Sequence, residues 1–144
     1  MGKVTVDIKL TNHIDIMTGV ENPRTAEVKN AIVDSGATML SLSKDIIDAL
    51  GLKLLRKRKV NTATGIEELG VYGTVELNIM DREDVFSVME LKHPTIKALV
   101  GQQPLELFDF LIHPGINRII PNPEHGGQLI LDMLLTDDIL GYTK

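Results

Sequence analysis

Alternation of apolar and polar residues at every second position is the dominant pattern of this chain. It runs through residues 3–10, where Val4, Val6, Ile8 and Leu10 are the apolar members, and again through residues 71–79. This period places one face of a β-strand in the core and the other in water. Two further strands are predicted over 26–33, after a turn at 17–25, and over 85–91, after a charged turn at 81–84. The pattern predicts a mostly-β fold.

Two short helices interrupt the predicted strands. The first has Ser43 at its capping position and Gly51 at its end, and its inward face carries Ile46, Ile47 and Leu50. The second opens near Pro104, a residue tolerated in a first helical turn, and is predicted to direct inward Leu105, Phe108 and Leu111.

Composition limits the function classes. With 144 residues and 43% hydrophobic content, the chain is predicted to form one domain over 1–144, with residues 136–144 as a tail. A net charge of −5 and an aromatic fraction of 3% argue against a nucleic acid partner. The absence of Cys excludes thiolate nucleophiles. Without a secretory pattern or a long apolar run, we expect no membrane association and a cytoplasmic location.

An acidic residue stands at the end of the strand predicted over 26–33. Asp34-Ser35-Gly36 follows the stiff, apolar pair Ile32-Val33. A carboxylate at the border of a core, where water is scarce, costs stability unless the protein uses it. Taken alone, the tripeptide is also ordinary turn chemistry, because Asp bonds its own backbone and Gly accepts positive φ.

A faint internal repeat accompanies this motif. Ala98-Leu99-Val100-Gly101-Gln102 again reads as strand, glycine turn and helix, but it lacks the acid. The repeat predicts a two-copy β-rich domain in which the second loop braces the first.

These features in this order resemble a retropepsin-type aspartic protease, and in particular its small single-domain bacterial and archaeal members. The resemblance rests on Asp34-Ser35-Gly36-Ala37, on Leu99-Val100-Gly101 before a helix, and on a hairpin between them. It spans Val4 to Met133 and includes Ile120-Pro121-Asn122-Pro123. It implies a retropepsin-like closed β-barrel with one or two short helices. It also implies a homodimer in which Asp34 from each copy meets its twin and hydrolyses a peptide bond.

The resemblance also assigns roles to neighbouring residues. Ser35 would lock the two loops together through its hydroxyl, Gly36 would permit close backbone approach, and Ala37 would keep the loop small. Ile32 and Leu99 either line pockets for substrate side chains or simply pack in the core. The segment after Asn61 is either a mobile lid over an extended peptide or a plain polar hairpin loop, and its residues are Thr62, Ala63, Thr64, Gly65 and Ile66.

The chain departs from the viral relatives in two places. They carry acidic residues shortly after the Ala, where this chain has Thr38 and Met39. They also use an Arg after the second glycine, where this chain continues with Gln102-Gln103. Contacts that depend on those viral residues do not carry over, whereas Asp34 and its loop are unaffected.

The remaining features leave two questions open. The four His residues are dispersed, so no metal and no cofactor is expected, and the basic run Arg56-Lys57-Arg58-Lys59 is predicted to be a solvated face. Residues 3–10 and 128–135 are edge-strand material, covered either by a second subunit or by an intramolecular partner. The function is either peptide hydrolysis or, in a catalytically inactive module, the binding of extended peptides or assembly.

Overall fold

A computed structural model describes residues 3–113, 115–133 and 141 of the chain. In chain order its elements are β1 (Thr5–Asn12), α1 (His13–Met17), β2 (Thr25–Val33), β3 (Leu40–Ser43), α2 (Lys44–Ala49), β4 (Lys53–Thr62), β5 (Gly65–Ile79), β6 (Arg82–Leu91), β7 (Ala98–Val100), α3 (Gln102–Leu107), β8 (Phe110–His113) and β9 (Arg118–Pro121). A 3₁₀ turn at Pro123–His125 follows.

Six of these strands close into a barrel. The order of hydrogen-bonded neighbours is β1-β2-β7-β3-β6-β5, and β5 returns to β1 through the pairs from Lys9 with Asn78 to Asn12 with Val75. The β2–β7 and β3–β6 pairs are parallel, and the others are antiparallel. Strand β4 lies outside the barrel and forms a hairpin with the first part of β5. The predicted mostly-β closed barrel is therefore confirmed.

The strands lie where the alternation predicts them. β2, β5 and β6 cover the predicted segments, with β5 beginning six residues earlier, at Gly65, and β1 is shifted by two residues, to Thr5–Asn12. Strand β1 pairs with β2 along its length, but β5 pairs only with its second half, from Lys9 to Asn12. The cover of that second half is therefore intramolecular.

Two predictions concern the C-terminal part of the chain, residues 128–135 and 136–144. Residues 128–133 form no strand in the single chain, so they have no intramolecular strand partner, and their pairing with a second subunit stays a prediction. Residues 134–135 lie outside the described residues. The predicted tail at 136–144 also lies outside them, except for residue 141.

Both predicted helices are confirmed, with one wrong residue. In α2 the inward face is buried and Gly51 has φ +66°, the left-handed conformation expected after the helix. In α3 Leu105 and Phe108 are buried, but Leu111 is 46% exposed. The reason is that the helix ends at Leu107 and Leu111 falls on the outer face of β8. The sequence did not predict α1 or the β8–β9 hairpin, which contain only four or five residues per element.

Arg82 is buried, contrary to the predicted charged turn at 81–84. The turn contains only Met80 and Asp81, and Arg82 starts β6 with a relative exposure of 5%. Its guanidinium donates to the carbonyl oxygens of Phe108, Asp109 and Gly127, and its Cζ lies 4.8 Å from the centre of the Phe110 ring. Backbone oxygens thereby satisfy a buried cation.

A second polar cluster attaches the segment after β9. The Asp109 carboxylate accepts hydrogen bonds from the His125 ring, from Asn122 Nδ2 at 3.3 Å and from the Ile130 amide at 3.2 Å. Together with Arg82, it ties residues 122–130 to the start of β8.

The β7 turn packs directly against the loop that follows β2. The Gln102 amide donates to the Ala37 carbonyl at 2.7 Å, and the Gln103 amide donates to the Thr38 carbonyl at 2.9 Å. A Cβ at Gly101 would lie 2.4 Å from the Met39 carbonyl oxygen and 2.7 Å from that of Ala37. Only glycine therefore permits this approach, and the second copy of the repeat does brace the first.

We predict that Gly101→Ala destabilises the protein by about 3 kcal/mol, because backbone oxygens cannot give way as a flexible side chain can. Gly19→Ala is the control. It meets no atom within 4 Å but has φ +73°, so it should cost only about 1 kcal/mol of backbone strain. Urea unfolding of both variants measures the difference. Equal destabilisation would show that the contact at Gly101 is loose.

The Asp109–His125 pair should make stability depend on pH. The hydrogen bond that the His125 ring donates to Asp109 raises the pKa of His125 above its ordinary 6.5. A group whose pKa is higher in the folded than in the unfolded state stabilises the fold fully when the pH is below its unfolded-state pKa. This contribution disappears as the pH rises through the folded-state pKa. We predict that the stability difference between the parent and His125→Gln shrinks over that range. Thermal unfolding and exchange of the Ile130 amide both measure it.

His113→Gln serves as the control for this prediction, because the His113 side chain is exposed and contributes nothing to the Asp109 cluster. A difference between parent and His125→Gln that stays constant from acidic to alkaline pH would contradict the prediction.

Candidate functional site

Strand β2 delivers Asp34 to one end of the barrel. Ile32 and Val33 pair in parallel with Leu99 and Val100 of β7, and the Asp34 amide continues the pairing by donating to the Val100 carbonyl at 3.0 Å. The position of the carboxylate along the barrel is thus set by backbone hydrogen bonds on both sides of the loop.

The loop itself is organised by the Asp34 side chain. Its Oδ1 accepts a hydrogen bond from the Gly36 amide at 2.8 Å, and the Asp34 carbonyl accepts one from the Ala37 amide at 3.1 Å. This is the turn chemistry that the tripeptide by itself allows. It occupies Oδ1 and leaves Oδ2 without a hydrogen bond from any described residue, so that oxygen is available to water or to a second carboxylate.

The expectation that Asp34 lies where water is scarce is wrong for the single chain. Asp34, Ser35 and Gly36 are all exposed, and Ala37 is half-buried. The physical reason is that the loop lies at the open end of the barrel, beyond Val33, the last buried residue of β2.

Two expected roles in the loop have a different structural basis. In the described part of the chain, the Ser35 hydroxyl makes no hydrogen bond to the second loop, which is held by the backbone bonds of Gln102 and Gln103 instead. A Cβ at Gly36 would meet only Asp34 Oδ1, at 3.1 Å. Within one chain, the close approach expected at Gly36 occurs at Gly101.

Asp34 lies at the edge of a groove of about 970 Å³, which we call the site groove. Several of the predicted residues line it from two sides: from the loops come Asp34, Gly36, Ala37 and Leu99, and from the β4–β5 hairpin come Thr62, Ala63 and Thr64. The groove thus brings the acidic loop and the hairpin tip together over one space that can hold an extended chain.

The hairpin is packed at its base and free at its tip. Leu69, Val71 and Met89 form a small buried cluster, against which Val60 and Met39 pack. Beyond this cluster the turn consists of Ala63 and Thr64, and the Thr62 hydroxyl fastens it by donating to the Gly65 carbonyl at 2.7 Å. A short tip on an anchored base is the geometry that a lid requires.

Four predicted residues do not line the site groove. Ile32 is half-buried beside Leu99 in the β2–β7 pair, and Ser35 faces solvent. Gly65 has φ +121° and completes the turn, while Ile66 is 74% exposed on the hairpin. Leu99 lines the site groove, whereas Ile32 lines neither groove and belongs to neither hydrophobic cluster, so its role in binding substrate stays a prediction.

The sequence did not predict one wall of the site groove or several of its hairpin residues, among them Arg58. The wall runs from Met89 to His93, across the end of β6 into the next loop. Arg58 belongs to the basic run, which is an exposed strand face as predicted. The sequence contained one indication that the Arg58 side chain points inward. Arg58 is two residues from Val60, which packs inward, and side chains two residues apart on a strand share a face.

No metal or membrane feature emerges from the described residues. Among them no three His, Asp or Glu side chains gather as metal ligands would. His93 serves its own loop, since Nδ1 accepts hydrogen bonds from the Thr95 and Ile96 amides. None of the helices within 3–113 and 115–133 has the length and apolar character needed to cross a bilayer.

Comparison with known proteins gives one family. A model described as "gag-polyprotein putative aspartyl protease" matches residues 25–106, which is more than half of the chain and extends from β2 through α3. Among solved structures, the protease of Simian Foamy Virus (mac) matches at 15% identity with a TM-score of 0.46, covering 70% of this chain and 90% of the viral one. No curated protein matches the sequence. On the strength of the family match, the chain belongs to the aspartyl proteases of the gag-polyprotein type.

Proposed function

We propose that this protein is an aspartic endopeptidase whose active site forms when two copies bring their Asp34 residues together. The observation that carries the proposal is the position of Asp34, which is exposed just beyond the buried end of β2 and lines a groove beneath a hairpin. Family membership supports peptide hydrolysis as the reaction.

The chemistry explains the need for two copies. Peptide hydrolysis needs one group that accepts a proton from water and another that donates a proton to the carbonyl oxygen. Two adjacent carboxylates that share one proton perform both tasks, and one chain supplies a single acid of this kind. In the second loop, Gly101 occupies the position that corresponds to Asp34 in the first. A second copy of the chain must therefore provide the other carboxylate.

The reaction then follows from the two protonation states. The ionised Asp34 takes a proton from a water molecule, whose oxygen attacks the peptide carbonyl carbon, while the protonated twin gives its proton to the carbonyl oxygen. The tetrahedral intermediate collapses with proton transfer to the departing amine, and the C–N bond breaks. The Gly36 amide, bound to Oδ1, holds the carboxylate in place with Oδ2 open to water.

The groove and hairpin fit an extended peptide. The backbone of a bound strand can pair with loop and hairpin backbone, and the apolar side chains of Leu99, Leu69 and Met89 line the same groove for its side chains. Closing the hairpin tip over the peptide would exclude water from the reaction.

Asp34→Asn should abolish proteolysis, because an amide can neither accept the proton of water nor share one with its twin. We expect cleavage of an unfolded protein or a peptide library at mildly acidic pH to fall by about 10³-fold. Glu27→Gln is the matched control, since Glu27 is an exposed carboxylate on the same strand and lines neither groove. Undiminished cutting by Asp34→Asn would refute the mechanism. Peptide binding without turnover by the parent would favour the inactive binding module.

Subunit mixing tests the shared active site. With the parent enzyme held constant, about a tenfold excess of Asp34→Asn should pair with most parent chains and leave about a tenth of the activity, because mixed pairs have one carboxylate. The control is the same excess of the double variant Asp34→Asn with Gly101→Ala, used under conditions in which this variant is unfolded and so does not pair with the parent. Sedimentation at micromolar concentration should show a dimer. A strict monomer whose activity is unaffected by the excess would contradict the proposal.

A further inference from the structure

A second groove adjoins the site groove beneath the same hairpin. It has a volume of about 1150 Å³ and runs between β6, α3 and the segment Ile130–Asp132, and we call it the outer groove. Three residues line both grooves, namely Thr38, Met39 and Arg58. A chain that extends from the site groove into the outer groove therefore passes Arg58.

The direction of the Arg58 side chain follows from the hairpin register. Arg58 pairs with Leu69 and Arg56 pairs with Val71, and both partners belong to the buried cluster under the hairpin. Because side chains alternate along a strand, Arg56 and Arg58 share the inner face with Val60, while Lys57 lies on the outer face. Arg56 lines the outer groove, and Lys57 lines neither groove.

The two arginines have no carboxylate partner among the residues that the structure describes. Among the described residues neither Arg56 nor Arg58 forms an ion pair. In the outer groove Glu106 accepts a hydrogen bond from Gln102 Nε2 at 2.9 Å, and Asp109 is occupied by the His125 ring.

Each of the other charged residues lines only one of the two grooves. Asp132 acts on His125, where it adds to the effect of Asp109 on the pKa of the ring. In the site groove the further acids, Glu67 and Glu90, are matched in number by Lys59 and Lys92. Of the three residues that line both grooves, only Arg58 is charged, so the charge at the junction itself is positive.

We propose that Arg58, with Arg56 beside it, selects peptide substrates that carry an acidic side chain at the position that crosses from the site groove into the outer groove. A guanidinium offers a carboxylate two parallel N–H donors, which fix both its position and its orientation. Thr38 and Met39 face the same junction and contribute no competing carboxylate. The inference rests on the proposed peptidase function and names its substrate class.

Peptide pairs that differ only by Glu or Gln at one position test this selection. The probes are short unstructured peptides with an apolar centre and with Glu or Gln placed at each flanking position in turn. We expect the parent to cleave one Glu peptide about fivefold faster than its Gln counterpart, the effect of one charge-assisted contact partly open to solvent. Added salt should reduce this ratio.

Arg58→Gln should remove the ratio, and Arg58→Lys should retain part of it, because the charge remains but the paired donors are lost. Lys57→Gln is the matched control, as it removes the same charge from the adjacent, outward position and should leave the ratio unchanged. Thermal unfolding confirms that each variant folds, which we expect because both side chains are exposed. A preference that survives Arg58→Gln, or one that Lys57→Gln removes equally, would overturn the assignment.

Binding to Asp34→Asn separates this inference from the proposed function. If Asp34→Asn binds the Glu peptide more tightly and the parent never cleaves it, the selection stands and the peptidase proposal fails. If the parent cleaves Glu and Gln peptides equally and Asp34→Asn binds them equally, the peptidase proposal stands and the selection by Arg58 fails.

Discussion

The backbone contact between Gly101 and the loop after Asp34 is the constraint on which the candidate site depends. The parallel pairing of β2 with β7 covers only two residue pairs, which is too little to fix a loop of six residues. The amides of Gln102 and Gln103 extend this pairing onto the carbonyls of the loop, and they reach them because residue 101 has no Cβ. The carboxylate is thereby positioned by main-chain bonds, which change little when neighbouring side chains change.

The same loop connects the candidate site with the hairpin above it. Met39, two residues beyond Ala37, packs against the buried cluster at the hairpin base, so the acidic loop and the hairpin base share one set of apolar contacts. The long strand β5 contributes its first part to the hairpin and its second part to the barrel wall beside β1. A movement of the tip can therefore occur without disturbing the barrel, because the packed cluster separates the two.

Local charge in this protein differs from its overall charge. The chain carries a net charge of −5, yet two arginines that form no ion pair with any described residue lie on the inner face of the hairpin. Arg58 lies where the two grooves adjoin, and Arg56 lies in the outer groove. A third, Arg82, is buried and satisfied by carbonyl oxygens that include that of Gly127, which helps to attach the segment after β9. Arginine thus serves substrate recognition on the exposed hairpin, and it stabilises the fold where it is buried.

The sequence by itself determined the strands with clear alternation, both short helices, the acid at the end of β2 and the glycine turn that braces it. These features follow from local rules, namely a period of two, helix ends and the absence of a Cβ. Only the tertiary structure decided that β5 covers the second half of β1, that Arg82 is buried, that Leu111 is exposed and that Arg58 faces the grooves. Each of these depends on which distant segment becomes a neighbour, and a strand's alternation shows that it has two faces without showing what either face will meet.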